Sequence, residues 1–457
     1  MRKRNGFETV RLVLGLLLAT VMSATAGWAQ VLNSGEDWAE PPTGTVAIRA
    51  ARLFDSNTGT MLTNQVVLVE RDRIAAVGSD VRIPANATVI DLGTATLLPG
   101  FIDSHLHIMP RGDQSLPYKT LRGLQQAQND LLGGFTTIVD MSGRNTYSPI
   151  DIRNAINRGI AWGPRMQVAG HEITQRDRSM GPTPPTINGE GFPNEFFVAG
   201  PWMARHMVRK LKHYGADWVK VYNGQDFQGD EHQHFFPDGR MVSNPSVTME
   251  ELEAIVDEAH RRGMKVACHA YGGPGLGDCI RAGVDKIEHG NELTDELAKI
   301  MAEKGLTMSY TLQNMLGTDE DDLPRTGGKV SRLSLTQQSI PIAMANGVNI
   351  AFASDMNPPR HGQQSMQFAY YVEFGMTPAQ SLQTAMTNAA KALNYGWDDR
   401  VGSLEVGKYA DVIATAGNPL EDITETERVK FVMRGGVVIK NELTETPSPG
   451  VMTSGAR

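Results

Sequence analysis

A chain of 457 residues, 40% hydrophobic and with 47 Gly and 24 Pro, can bury a large core and build more than one structural unit. Its formal net charge is −8, and no run of Lys and Arg follows the first residues, so a nucleic-acid or anionic-membrane partner is excluded and a small-molecule substrate is favoured. Two cysteines, Cys268 and Cys279, rule out a disulfide framework; they could pair, but they read as ordinary buried residues.

Arg2, Lys3, Arg4 and Arg11 precede and open a largely apolar run of 11 residues, Leu12 to Met22. Ala24-Thr25-Ala26 and Gly27-Trp28-Ala29 are small-residue cleavage patterns. Residues 1–29 therefore read as an export signal, and the apolar run is too short to span a bilayer. The expected product is periplasmic or secreted, acts on a small molecule, and keeps no stable membrane association after cleavage. Assembly into a homo-oligomer is open.

Residues 30–44 are rich in Pro, Gly and polar residues and read as an arm. Short β-like runs follow: Val46-Ala47-Ile48, Gln65 to Val69, Arg73 to Val77 and Ala87 to Asp91. The same texture returns near the end, at Asp411 to Ala414, Val429 to Met433 and Val437 to Ile439, with Gly435-Gly436 as a tight turn. Residues 30–97 and 396–457 are expected to pair into one small β-sandwich-like domain.

Between them, over residues 98–395, strands alternate with helices such as Met249 to Arg262 and Ser334 to Ala345. Strands are expected to end near His105, Asp140, His171, Lys220, His269, His289, Tyr310 and Asp355. Eight such ends match the size of an α/β fold of the (β/α)8 TIM-barrel type, about 250 residues, in which active sites are built at the C-terminal strand ends.

His105-Leu106-His107 follows the apolar strand Leu98 to Asp103. Residues i and i+2 of a strand point to one side, so two imidazoles converge there, and neutral imidazole binds divalent ions. Alone this pattern is weak. It gains weight from Lys265 to His269 and Asp285 to His289, two β-type runs that end in His, and from Ile350 to Asp355, which ends in Asp. Gly215-Ala216-Asp217-Trp218-Val219-Lys220-Val221-Tyr222 places a lysine inside an apolar strand. Burial lowers a lysine's pKa. A neutral amine can take up carbon dioxide to give a carbamate whose two oxygens bridge two cations. The alternative is a lysine paired with a carboxylate.

These segments resemble the amidohydrolase superfamily, within the imidazolonepropionase-like group that includes binuclear Xaa-Pro dipeptidases and carboxypeptidases. Leu98 to His107 is similar to the first-strand motif, Gly133 to Asp140 to the second strand, and Gly163-Pro164-Arg165 to the lead into the third. Thr387 to Leu393 and Val401 to Asp411 resemble the return into the terminal β unit. The resemblance spans nearly all of the chain after the signal. It implies that His105, His107 and Asp355 hold one metal, that His269 and His289 hold the other, and that carboxylated Lys220 bridges them. The two divalent ions are expected to be zinc, and Lys220 disfavours a mononuclear deaminase.

The expected chemistry is hydrolysis of an amide bond in a peptide, N-acyl amino acid or related small amide. A hydroxide bridging the two metals would attack, with Asp355 as the catalytic proton carrier. A lactone or phosphotriester hydrolase, or an exported binding protein on a retired scaffold, are the alternatives. Tyr222, His171, Arg144 and Tyr310 are candidates for substrate contact. The chain departs from peptidase relatives at His171-Glu172-Ile173-Thr174-Gln175-Arg176, where many have Gly-Gly-His, and in a long loop from Asn223 to Ser246 that could form a lid. His232 and His234 in that loop read as solvated.

Overall fold

The computed structural model describes residues 42–444, apart from 145, 176–196, 225–234, 236–238, 240, 242–244 and 359. The expected export signal, His232 and His234, and most of the expected lid lie outside the described residues.

Both ends of the chain enter one eight-stranded sheet. Its strands are β1 (Thr45–Asp55), β2 (Thr60–Glu70), β3 (Arg73–Gly78), β4 (Thr88–Asp91) and β5 (Thr96–Pro99) from the N-terminal side. The last three strands of the chain, Val412–Thr415, Phe431–Arg434 and Val437–Asn441, complete it. The seam is antiparallel, with Val412 opposite Pro99 and Thr415 opposite Thr96. Alternating Val, Ile and Leu from both halves pack into one core, including Ile48, Val67, Leu97, Val412 and Phe431.

The intervening segment is α/β with parallel strands. β6 (Phe101–Leu106), β7 (Phe135–Asp140) and β8 (Arg165–Val168) form a three-stranded sheet in that order. β9 (Glu172–Gln175), β10 (Phe197–Val198), β11 (Trp218–Tyr222), β12 (Lys265–Ala270), β13 (Lys286–His289), β14 (Thr307–Ser309) and β15 (Asn349–Ile350) form a second sheet, ordered β10-β9-β11-β12-β13-β14-β15. These strands are buried on both faces, which explains their near-continuous apolar runs. The helices between them carry their own signals. Thr248 and Glu251 form a capping box at the start of Met249–Arg261, with Glu250 and Glu251 in its first turn and His260 and Arg261 in its last.

Backbone hydrogen bonds also join β6 to the segment beyond β15: Ser104 N donates to Phe352 O at 2.9 Å, and Asp355 N to His105 O at 2.7 Å. β8 stops at Val168, so His171 lies in the short connection to β9 rather than at a strand end. The expected strand Ile350 to Asp355 is regular only over Asn349–Ile350; the rest follows β6 without a ladder. Gly100 has to be glycine where β6 begins, because a Cβ there would lie 2.1 Å from Thr136 Oγ1.

Cys268 and Cys279 form a disulfide, which corrects the reading of two ordinary buried cysteines. The bond ties β12 to the helix Gly273–Ala282, a strand–helix contact that an 11-residue spacing does not reveal. Among the described residues, no helix is long and apolar enough to cross a membrane.

Arg165 at the start of β8 holds Asp411 just before the C-terminal strands, with Nε 2.8 Å from Oδ2 and Nη2 3.2 Å from Oδ1. Both residues are buried, and the guanidinium lies 3.3 Å from the centre of the Tyr409 ring. Removing one partner strands the other charge in the interior. Arg165→Met is therefore expected to lower unfolding free energy by about 3–5 kcal/mol, read as an earlier midpoint in urea denaturation.

Candidate metal centre

The parallel β6 delivers His105 and His107 to one side, and its bonding to the segment after β15 brings Asp355 against them. His107 Nε2 lies 3.1 Å from Asp355 Oδ1, His105 Nε2 lies 3.5 Å from the same oxygen, and the two Nε2 atoms are 3.4 Å apart. One ligand atom from each residue falls within 4.8 Å of the others, a spacing that can hold one metal ion.

β12 and β13 place His269 and His289 side by side, with His289 Nε2 2.8 Å from His269 Nδ1. The His105 and His289 ring centres are 5.6 Å apart, so the two histidine groups face one another. Lys220 on β11 is fully buried, with Nζ 3.8 Å from Glu288 Oε2. The structure thus brings together His105, His107, Asp355, His269 and His289, and Lys220 lies beside them near Glu288.

Burial lowers the pKa of His105, His107 and His289, the last to about 3, and for His105 the charge of Lys220 adds to the effect. Burial alone would raise the Asp355 carboxyl, but the hydrogen bond with His107 and the nearby positive groups outweigh it and hold it at about 2. Neutral imidazoles and an ionised carboxylate are the protonation states that metal ligands require.

A polar scaffold holds these groups. Asp103 Oδ1 accepts from the backbone N–H of His105 and of Ser354, both at 3.1 Å, and Oδ2 accepts from Ser354 Oγ at 2.5 Å. Burial pushes the Asp103 carboxyl up to about 7 against these hydrogen bonds. Asn314 Nδ2 donates to Asp355 Oδ2 at 2.6 Å, and Asn357 Nδ2 to Asp355 O at 2.7 Å. Thr311 Oγ1 meets His289 Nδ1 at 2.7 Å. His361 bridges the Asp130 carboxylate, 2.9 Å away, and His107 O, 3.0 Å away. His289 and Asp355 both sit at positive φ, +79° and +50°, a left-handed conformation that costs a non-glycine residue of order 1–3 kcal/mol and that clusters at functional sites.

The four candidate substrate residues separate. Tyr222 stacks on His269, ring centres 4.5 Å apart, at the edge of the centre. Arg144 contacts the Asn357 side chain, beside Asp355. His171 packs edge-on against Tyr147 at 4.7 Å. Tyr310 is fully buried and bonds to Ser339 Oγ at 2.6 Å; Ser339 in turn donates to Gly290 O, so Tyr310 braces the turn after His289. Residues that sequence reasoning passed over include Asp103, Asn314, Thr311, His361, Lys286 and Glu288. For the last two a signal existed: Lys286-Ile287-Glu288 puts charge inside an apolar strand, as Lys220 does.

The amidohydrolase family model matches residues 96–439. Ochratoxinase from Aspergillus niger is 28% identical over 435 residues, covering 86% of this chain and 87% of that protein. An imidazolonepropionase from Micrococcus luteus is 25% identical over 394 residues, covering 78% and 88%. The crystal structure of a Xaa-Pro dipeptidase with methionine bound in its active site superposes with a TM-score of 0.76 at 28% identity, covering 87% of this chain and 100% of that one.

Asp103→Ala is expected to orphan two buried backbone N–H groups, at about 1–3 kcal/mol each, and to loosen His105 and Asp355 together. Calorimetric unfolding checks the first effect, and divalent-ion binding to the folded variant checks the second.

Proposed function

The chain belongs to the amidohydrolase family and is a hydrolase of carbon–nitrogen bonds, and on that premise we propose that it uses two divalent metal ions to cleave an amide bond of a peptide, an N-acyl amino acid or a related small amide. The observation that carries this reading is the convergence of His105, His107 and Asp355 opposite the His269–His289 pair. The donor set fits zinc-type ions: neutral nitrogens and one anionic oxygen. His105, His107 and Asp355 would hold the first ion, and His269 and His289 the second. Lys220 as a carbamate would supply oxygen ligands to both, a form that its full burial supports because burial favours the neutral amine that reacts.

When bound, the ions acidify a water to hydroxide and polarise the scissile carbonyl. The rest falls to side chains. The Asp355 carboxylate takes the proton of the attacking water and returns it to the leaving nitrogen. It is ionised at neutral pH and so can accept a proton, and Asn314 fixes its Oδ2. Tyr222, stacked on His269, contacts the substrate, and Arg144, beside Asp355, receives a substrate carboxylate through paired N–H donors.

The architecture proposed with this reading is a closed (β/α)8 barrel over residues 98–395, with residues 30–97 and 396–457 as one β-sandwich-like unit. The bonding of β6 to the segment past β15 supports closure. Export to the periplasm or medium, with residues 1–29 as a signal, is proposed as well. The Cys268–Cys279 disulfide supports it, since such bonds persist in oxidising compartments.

A strong chelator is expected to abolish cleavage of a panel of dipeptides and N-acyl amino acids, and zinc with bicarbonate to restore it. Cleavage of lactones or phosphotriesters alone moves the reading to a different leaving group. Asp355→Asn is expected to lower kcat about 10²- to 10⁴-fold while the folded protein still takes up metal. Near-normal turnover in that variant contradicts the proton-transfer role.

A further inference from the structure

Glu288 and Lys286 lie on β13, both fully buried. Two buried charges in a strand require partners, and these define a closed circuit. Glu288 Oε1 is 3.0 Å from Lys286 Nζ. Glu288 Oε2 contacts His105 Nδ1. Lys286 Nζ also donates to Ser104 O, the carbonyl of the residue preceding His105. The circuit therefore grips His105 by its ring and by the peptide that carries it. The opposite ring nitrogen, Nε2, faces His107 Nε2 at 3.4 Å and Asp355 Oδ1 at 3.5 Å.

We propose that Glu288 is a positioning residue of the metal centre: its carboxylate accepts the Nδ1–H of His105 and commits Nε2 to the first metal ion, while Lys286 keeps Glu288 in place. A neutral imidazole carries one proton. If that proton sits on Nε2, no lone pair faces His107 and Asp355. A carboxylate at Nδ1 selects the useful tautomer and strengthens the ligand. His107 and His289 have uncharged oxygens at the corresponding nitrogen, Ser142 O at 3.4 Å and Thr311 Oγ1 at 2.7 Å. His105 meets a carboxyl group.

The rival role for Glu288 is counter-ion to Lys220, 3.8 Å away. Lys286 is closer. A carboxylated Lys220 is itself an anion, so it cannot pair with Glu288. The inference thus rests on the two-metal reading of the same site.

The test uses the full chain and two variants, Glu288→Gln and the double variant Glu288→Met with Lys286→Met. The double variant removes both charges together, so no unpaired charge is left in the core. Zinc affinity is read by competition with a chromophoric chelator, and the ligand set by the visible spectrum of the cobalt(II) form. Affinity for the first ion is expected to fall about 10-fold in Glu288→Gln and about 100-fold in the double variant, with a changed cobalt spectrum in both. Wild-type affinity and spectrum in the double variant overturn the proposal, whether or not Glu288→Gln folds. A wild-type chain that takes up no zinc sinks the two-metal reading itself, and this inference with it. Normal uptake by the wild type with an unchanged double variant sinks this inference alone.

Discussion

The contact between β6 and the extended segment after β15 is the constraint on which the rest of the molecule depends. His105 and Asp355 are far apart in the sequence, yet Asp355 N donates to His105 O and the Asp103 carboxylate clasps Ser354. Without them the three-residue group has no reason to exist, since Asp355 follows a strand of only two regular residues and holds a left-handed backbone. Polar groups buried and satisfied in this way fix one arrangement, because each unmade bond in a low-dielectric interior is costly.

The centre concentrates ionisable groups where solvent is excluded. Lys220, Lys286 and Glu288 are completely buried, and the histidines around them are nearly so. Burial drives each toward its neutral form unless a partner intervenes. Histidines shifted toward the neutral form are suited to ligate a metal. Asp355 is an exception. It is held ionised by its neighbours, and Glu288 meets Lys286 and His105. The same desolvation that makes these groups expensive to fold around makes them useful to a divalent ion.

Much of this was legible in the sequence because strand ends are legible. An apolar run that stops at a histidine pointed to His105, His269 and His289, and a lysine inside an apolar run pointed to Lys220. The pairing of the two terminal β segments followed from their shared texture. Other features had no such signal. His361 and Asp130 meet across a loop and a helix, so neither predicts the other. Asn314 reaches Asp355 from a short helix. Tyr310 was a candidate for substrate contact, but β14 ends one residue earlier and the ring turns inward to Ser339. The disulfide escaped because its spacing acquires meaning only once a helix packs on β12. Glu288 is different: a carboxylate inside an apolar strand, directly before His289, is visible in the sequence.

The central claim is that two ions share this cluster across a modified lysine. Anomalous diffraction at the zinc edge from crystals of the metal-loaded protein addresses it most directly. The account predicts two peaks, one among His105, His107 and Asp355 and one between His269 and His289, with density for a carboxyl group beyond Lys220 Nζ. A single peak with an unmodified Lys220 beside Glu288, or no peak in the cluster, contradicts it.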